Sequence, residues 1–270
     1  MRHIVLHSGG HSSGLVAIEV CRRFGAKNVT LLNHDIPSLV EADDIKRFKR
    51  EIAAYVGLPI TYANHGDPNA NQFSVCIQAK AFKVGKGPEI CTSRLKTEPF
   101  MRWLTENYPN KDCVLYYGFD VNEMHRVQRR SGIMGALGYR TDYPLAIWRE
   151  RTILQSIEVG IAKPLGYSVF KHANCIGCLK AGWQHWYIVY CTRPDIWKMA
   201  MDAEEIIGYS IHHDESGPVY LEDMEPKFAA MRCAGVPATE HIRHQHFWVQ
   251  AAKVIDIAVQ PSLLPCDCAA

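Results

Sequence analysis

Three groups of residues in this chain of 270 residues have the types and spacing that chemistry needs. The first is Ser8-Gly9-Gly10-His11-Ser12-Ser13. Glycines let a backbone approach a ligand closely, and free amides at a helix start together with hydroxyl donors make a cradle for an anion such as a phosphate. A purely structural strand-to-helix turn has the same composition, and the run is neither a Walker A sequence nor the spaced dinucleotide pattern. The second group is Cys175-Ile176-Gly177-Cys178, with Cys91 far upstream and Cys191 shortly downstream. A Cys-x-x-Cys presents two thiolates to one metal site, and iron–sulfur clusters take thiolates, usually four. Cys91, Cys175 and Cys178 alone would leave one iron open, whereas Cys191 as fourth ligand would close the site. A structural zinc on the same three cysteines with His172 or His185 is the alternative, and a metal-free site is the third. The third group, His125-Arg126-Val127-Gln128-Arg129-Arg130, offers guanidinium forks that grip phosphate or sulfate in two-point fashion. A solvated helix with an exposed basic face would carry the same run.

The elements that must position these residues follow an α/β pattern. Ile4-Val5-Leu6 is a short buried-strand candidate that runs straight into the Ser8 turn, and an apolar helix follows from Ser13 to Phe24, stopped by Gly25. Val29-Thr30-Leu31-Leu32, Pro59-Ile60-Thr61-Tyr62 and Val114-Leu115-Tyr116-Tyr117 are further strands. Between them Glu41–Val56 is amphipathic, with Ile45, Phe48, Ile52 and Val56 on one stripe. Lys46, Arg47, Lys49 and Arg50 fall on the other, expected to be a solvated face. Strands alternating with helices imply a parallel sheet with right-handed crossovers. A turn at the carboxyl end of the first strand lies where open α/β sheets bind ligands, which favours phosphate binding. Beyond about residue 160 the pattern breaks down. Residues 165–270 read as a mostly helical appendage to an α/β domain spanning 1–164. Within it Trp183, Trp186, Tyr187 and Tyr190 could stack on bases or simply pack around the cysteine loop.

Composition sets the outer limits. Hydrophobic content of 47% with 21% charged residues is that of an ordinary globular chain. Thirty basic against 28 acidic residues give a formal charge of +2, which neither demands nor excludes a nucleic-acid partner. No apolar run is long enough to span a membrane. The apolar start is too short for a secretion signal, so a cytosolic location is expected. There, ten cysteines are thiols available to metals or redox chemistry. Cys21 and Cys113, on apolar stripes, are expected in the core.

Taken together, the ordered motifs resemble the phosphoadenosine phosphosulfate (PAPS) reductase family of the adenine-nucleotide α-hydrolase (PP-loop) superfamily, in its iron–sulfur form. Ser8–Ser13 resembles the S-G-G-x-D-S pyrophosphate loop. Cys91–Phe100 is similar to a Cys-x-x-x-x-Lys-x-x-Pro segment, with Lys96 and Arg94 on the same electropositive floor. Gly118, Glu123 and the arginines 126, 129 and 130 resemble the sulfonucleotide-contacting loop, and Pro144-Leu145-Ala146-Ile147-Trp148 a Pro-Leu-x-x-Trp element. Tyr167 with Cys175 and Cys178 resembles the ending of cluster-bearing members. The resemblance implies a Rossmann-like, HUP-type fold. It implies ATP or a related adenine nucleotide on Ser8, Gly9, Gly10, His11, Ser12 and Ser13, its base near Asn33, with Gly118, Glu123 and Arg129 contributing and Mg²⁺ as a companion. It implies Cys91, Arg126 and Arg130 as catalytic residues and a [4Fe–4S] cluster on Cys91, Cys175 and Cys178, with Cys191 left open as a fourth ligand.

Two departures shape the expected function. Ser12 replaces the Asp of the pyrophosphatase branch, and the tail has no Glu-Cys-Gly-x-His nucleophile, only Cys266-Asp267-Cys268. The leading expectation is ATP-dependent sulfur transfer through an adenylylated intermediate, needing a sulfur donor and an acceptor such as tRNA or DNA. A sulfonucleotide reductase using a cysteine nucleophile and a thiol reductant is the alternative, and a non-catalytic nucleotide-binding module of a larger assembly the third. A homo-oligomer with no membrane partner is expected.

Overall fold

A computed structural model describes residues 1–64, 69–85, 87–173, 175–215 and 217–259. In chain order the elements are β1 (Arg2–Leu6), α1 (His11–Phe24), β2 (Val29–Asn33), α2 (Asp43–Val56), β3 (Ile60–Tyr62), α3 (Gln72–Ala79) and α4 (Ile90–Thr92). A π-helical turn, Ser93–Thr97, leads into α5 (Glu98–Asn107). There follow β4 (Cys113–Tyr116), α6 (Met124–Ala136), β5 (Arg140–Asp142) and α7 (Pro144–Ile147). The remainder is α8 (Trp183–Thr192), α9 (Pro194–Ile207), the hairpin β6 (His212–Asp214) and β7 (Gly217–Val219), α10 (Leu221–Cys233) and α11 (His244–Val259). The chain divides into two compact units, Met1–Ala70 with Arg94–Tyr167 and Asn71–Ser93 with Ser168–Ala270. The break at Tyr167 lies close to the boundary read from composition. The segment Asn71–Ser93, read as part of the α/β domain, belongs instead with the carboxyl-terminal helices.

The first unit is a Rossmann-like α/β layer structure. Its five strands are all parallel in the order β3-β2-β1-β4-β5. Side chains alternate across a strand, and here the alternation supplies two separate cores. Val5, Leu31, Val114 and Tyr116 join Leu15 and Ile18 of α1 and Phe48 and Ile52 of α2. Ile4, Leu32, Cys113 and Leu115 join Phe100 and Leu104 of α5 and Val127 and Met134 of α6. Helices therefore cover both faces, as a buried parallel sheet requires. Cys113 is fully buried and Cys21 lies in the α1 core, as expected. The strand β5 was not foreseen. Arg140-Thr141-Asp142 is short and polar, a composition tolerated because it pairs on one side only, with β4.

The second unit is mostly helical around an aromatic core. Trp186, Tyr187 and Phe228 are fully buried. Tyr187 meets Phe228 and Phe247 at centroid distances of 5.4 and 5.8 Å, and Tyr190 meets Trp197 at 5.2 Å. Trp186, Tyr187 and Tyr190 are thus packing residues. The helix α3 starts at a reciprocal cap: the Asn71 side chain accepts from the amides of Phe73 and Ser74, and the Ser74 hydroxyl accepts from the Asn71 amide at 2.9 Å. No helix among the described residues is long and apolar enough to cross a membrane.

Candidate nucleotide cradle and cysteine site

The order of strands decides where the first unit can bind a ligand. The chain runs outward from β1 to β3 and then returns to lay β4 on the other side of β1, which makes the carboxyl ends of β1 and β4 a topological switch point. The Ser8–Ser13 turn leaves β1 at that point, with Gly10 as the N-cap of α1. Gly9 takes φ +86°, and a Cβ there would stand 2.6 Å from Ile45 Cγ2, so the turn must be glycine. The Ser13 hydroxyl donates to the Gly10 carbonyl at 2.8 Å, and the Ser8 hydroxyl reaches Ser13 Oγ at 3.3 Å. The first amides of a helix have no intrahelical acceptor. That of His11 donates to the Tyr167 hydroxyl at 3.1 Å, so Tyr167 closes one side of the turn. On the β4 side, a Cβ at Gly118 would lie 2.9 Å from the Ser13 amide nitrogen and 3.1 Å from the Ser12 carbonyl carbon. Only glycine leaves room there.

Beneath the turn lies a buried polar knot. Lys49, expected on a solvated face, is instead buried, its Nζ 2.7 Å from Glu41 Oε2 and 3.2 Å from Asn33 Oδ1. Four positions after Ile45 it falls on the apolar stripe, and an ion pair makes the burial tolerable. Burial pushes Glu41 up and Lys49 down, and each partner opposes the other's loss of charge. The Nδ2 of Asn33 donates to the His7 carbonyl, so both ends of this amide are engaged in fastening β1, β2 and α2. The side chain of Asn33, near which the base is expected, is engaged beneath the turn. His7 and His11 are both brought down to about 4, mainly by burial, and are neutral at physiological pH. The neutral His11 accepts from the Ser156 amide through Nε2 at 3.2 Å. After burial, the charge of Lys163 also lowers His11, and those of Lys96 and Lys49 also lower His34.

The arginine loop follows β4. Asp120 and Glu123 cap one another, with Asn122 N donating to Asp120 Oδ1 at 2.8 Å and Asp120 N to Glu123 Oε2 at 3.2 Å. Glu123 also pairs with Arg126, whose guanidinium lies 4.2 Å from the Phe119 ring centroid. Arg130 lies over Tyr117 at 5.6 Å, and Arg129 is exposed. An anion approaching Arg126 therefore competes with Glu123. A hollow of about 470 Å³ in this unit involves Met1, His3, Phe24, Tyr116, Arg140 and Asp142. On β1 it involves only the opening residues, while on β4 and β5 it reaches the last ones, Tyr116 and Asp142, apart from the Ser8–Ser13 turn.

The cysteine groups all lie in the second unit. Cys91 belongs to α4, and Cys175 and Cys178 flank a tight loop turned by Gly177 at φ +70°. A Cβ on Gly177 would stand 2.7 Å from Ile196 Cγ2 and 3.2 Å from Phe73 Cζ. From α3, Gln72 Nε2 donates to the carbonyls of Ile176 and Gly177 at 2.8 and 3.2 Å. Lys180 pairs with Glu89 at 2.9 Å, joining the segment after Cys178 to the one before Cys91. The thiols of Cys91 and fully buried Cys76 share a hydrogen bond, which together with burial holds Cys76 well above the usual thiol range. Cys191 sits elsewhere on the unit, in the last turn of α8. The Tyr187 hydroxyl donates to the Val236 carbonyl at 2.7 Å, and the Tyr187 and Cys191 side chains are hydrogen-bond partners. Of the two histidines considered for zinc, His185 holds Glu240 Oε1 through Nδ1 at 2.9 Å, and His172 shares a small cavity with it. Among the described residues no group of three or more His, Cys, Asp or Glu is gathered tightly enough to hold a single metal ion. Cys266 and Cys268 lie outside the described residues. Comparison with protein-family models, curated proteins and solved structures returns no match for this chain.

Proposed function

We propose that this chain is an ATP-dependent sulfur-transfer enzyme whose first unit binds the nucleotide and whose second unit carries a cluster-binding cysteine set. One observation carries the nucleotide half: the Ser8–Ser13 turn sits at the β1/β4 switch point with Gly118 closed against it, so backbone amides and hydroxyls meet where a phosphate chain would lie. The ordered motifs resembling the PAPS reductase family support the same reading. An oxygen on an acceptor carbon attacks the α-phosphorus of ATP, the bond to the bridging oxygen of the β-phosphate breaks, and pyrophosphate leaves. Hydrosulfide then attacks the activated carbon, a carbon–sulfur bond forms, and AMP departs with the former acceptor oxygen. No net oxidation occurs, and the acceptor's proton is released to solvent. The amides of Ser12 and Ser13 and the charges of Lys163, Arg126 and Arg130 would stabilise the negative charge that grows on the phosphates. Mg²⁺ would enter on the phosphates of ATP.

What supports an iron–sulfur group is the donor type: thiolates are its usual ligands, and a cluster takes one thiolate per iron, so they need not meet at one point. Cys91, Cys175 and Cys178 would hold a [4Fe–4S] cluster, which when bound supplies iron sites that keep sulfide reduced and in reach.

The test is product analysis with labelled ATP, sodium sulfide, and total tRNA or DNA as acceptor, under anaerobic conditions. AMP and pyrophosphate formed only with acceptor present are expected; ADP and phosphate, or no turnover, would contradict the reading. Sulfite released from a sulfonucleotide by thiol reductant, and lost on truncation before Pro265, would mark the reductase instead.

A further inference from the structure

We infer that Cys76, and not Cys191, is the fourth thiolate of the site formed by Cys91, Cys175 and Cys178. The inference rests on the cluster reading above and adds to it a ligand that no spacing in the sequence indicates. Three ties between separate segments of the second unit point to it. The first is the direct contact of the Cys76 and Cys91 side chains. The second is α3 itself: Gln72 holds the carbonyls of Ile176 and Gly177, and Phe73 packs on Gly177. Those two residues precede Cys76 by four and by three positions, so all three share one helix face. The third is the Lys180–Glu89 pair, which joins the flanks of Cys178 and Cys91 at 2.9 Å. Every segment that carries one of these four cysteines is thus tied to another of them by bonds that need no metal.

Chemistry favours the same residue. Free cysteine is a weak hydrogen-bonding group, and the buried Cys76 thiol gains little from facing the half-buried Cys91. Metal binding converts such thiols to thiolates and releases their protons. Cys191, by contrast, is held by Tyr187, a tyrosine anchored on the Val236 carbonyl.

The test compares iron and sulfide content, visible absorbance and the electron paramagnetic resonance spectrum of the reduced cluster. It uses anaerobically purified full chain as wild type, Cys76→Ala and Cys191→Ala, with ATP affinity as the check on folding. Loss of most of the iron from Cys76→Ala with wild-type content in Cys191→Ala is expected. Iron retained in Cys76→Ala, or lost from Cys191→Ala, overturns the assignment. If Cys76→Ala does not fold, Cys76→Ser decides: a shifted resonance spectrum or reduction potential supports the ligand, and a spectrum superimposable on wild type overturns it. A wild-type protein that binds no iron in any preparation defeats the cluster reading itself. Should it hold zinc instead, unchanged zinc in Cys76→Ala defeats the ligand as well.

Discussion

The two units build their candidate sites in opposite ways. In the first, the cradle is local in sequence and mostly backbone: six consecutive residues leave one strand and enter one helix, and the rest of the unit only has to bring Gly118 and Tyr167 to its edges. In the second, the side chains that would hold a cofactor come from α3, α4 and a loop nearly a hundred residues later, and no one segment contains the site. A backbone site survives most side-chain changes but fails when a Cβ is added. A side-chain site fails with the loss of any one donor. The two should therefore respond separately to mutation.

The largest separation is expected from Cys175→Ala, which should lose the iron while leaving ATP affinity at its wild-type value, read by metal analysis and equilibrium titration on the same sample. A parallel loss of ATP binding would show that the two sites are not independent. Next in size is Lys49→Met. Removing one partner of a buried ion pair costs about 3–5 kcal/mol, so urea unfolding of the first unit should shift by that order. A Lys49→Met/Glu41→Leu double variant should recover much of it, and no recovery would mean that Lys49 matters for some reason other than Glu41.

Acid should also act unequally. His7, His11 and His34 are brought down from 6.5 to about 4, chiefly by burial. Their unfolded forms take up protons first as the pH falls, so the stability they contribute is full above pH 6.5 and is lost towards pH 4. In the second unit Glu204, pushed up to about 7 by burial, moves the other way: its contribution is full below 4.5 and falls as the pH rises through 7. It thereby offsets His212, which is also brought down to about 4. Amide-exchange protection, corrected for intrinsic rates, should drop further in the first unit than in the second between pH 6.5 and 4. Equal loss would contradict this. The smallest effect is that of Glu123→Gln, which frees Arg126. ATP affinity should rise by up to about fivefold, the scale of an exposed charge pair; a fall would show that Glu123 itself holds the ligand.

How far each site could be read in advance follows from the same contrast. The strands Ile4–Leu6, Val29–Leu32 and Val114–Tyr116 were legible because buried parallel strands are apolar runs, and the turn after β1 because its glycines mark a break between strand and helix, with Gly9 at positive φ. Lys49 was misplaced on its charge alone: four positions after Ile45 and three before Ile52 it falls on the apolar stripe, where Glu41 and Asn33 pair its ammonium. Asn33 lies at the carboxyl end of β2, close to where a base was expected, but its amide is consumed by the floor. Cys76 was invisible for a different reason. It lies on an eight-residue helix, too short for periodicity to show, and its meaning comes only from packing against Cys91 and the loop that Gln72 holds.

The central claim is that the β1/β4 crevice binds a nucleotide through the Ser8–Ser13 turn. Its most direct test is equilibrium titration of wild type and Gly118→Ala with ATP. Overpacking of this kind costs about 1–3 kcal/mol, so a saturable wild-type isotherm and a roughly tenfold or greater loss in Gly118→Ala, with iron content unchanged, is the predicted result. Equal affinities, or a wild-type protein that binds no ATP, would contradict the account.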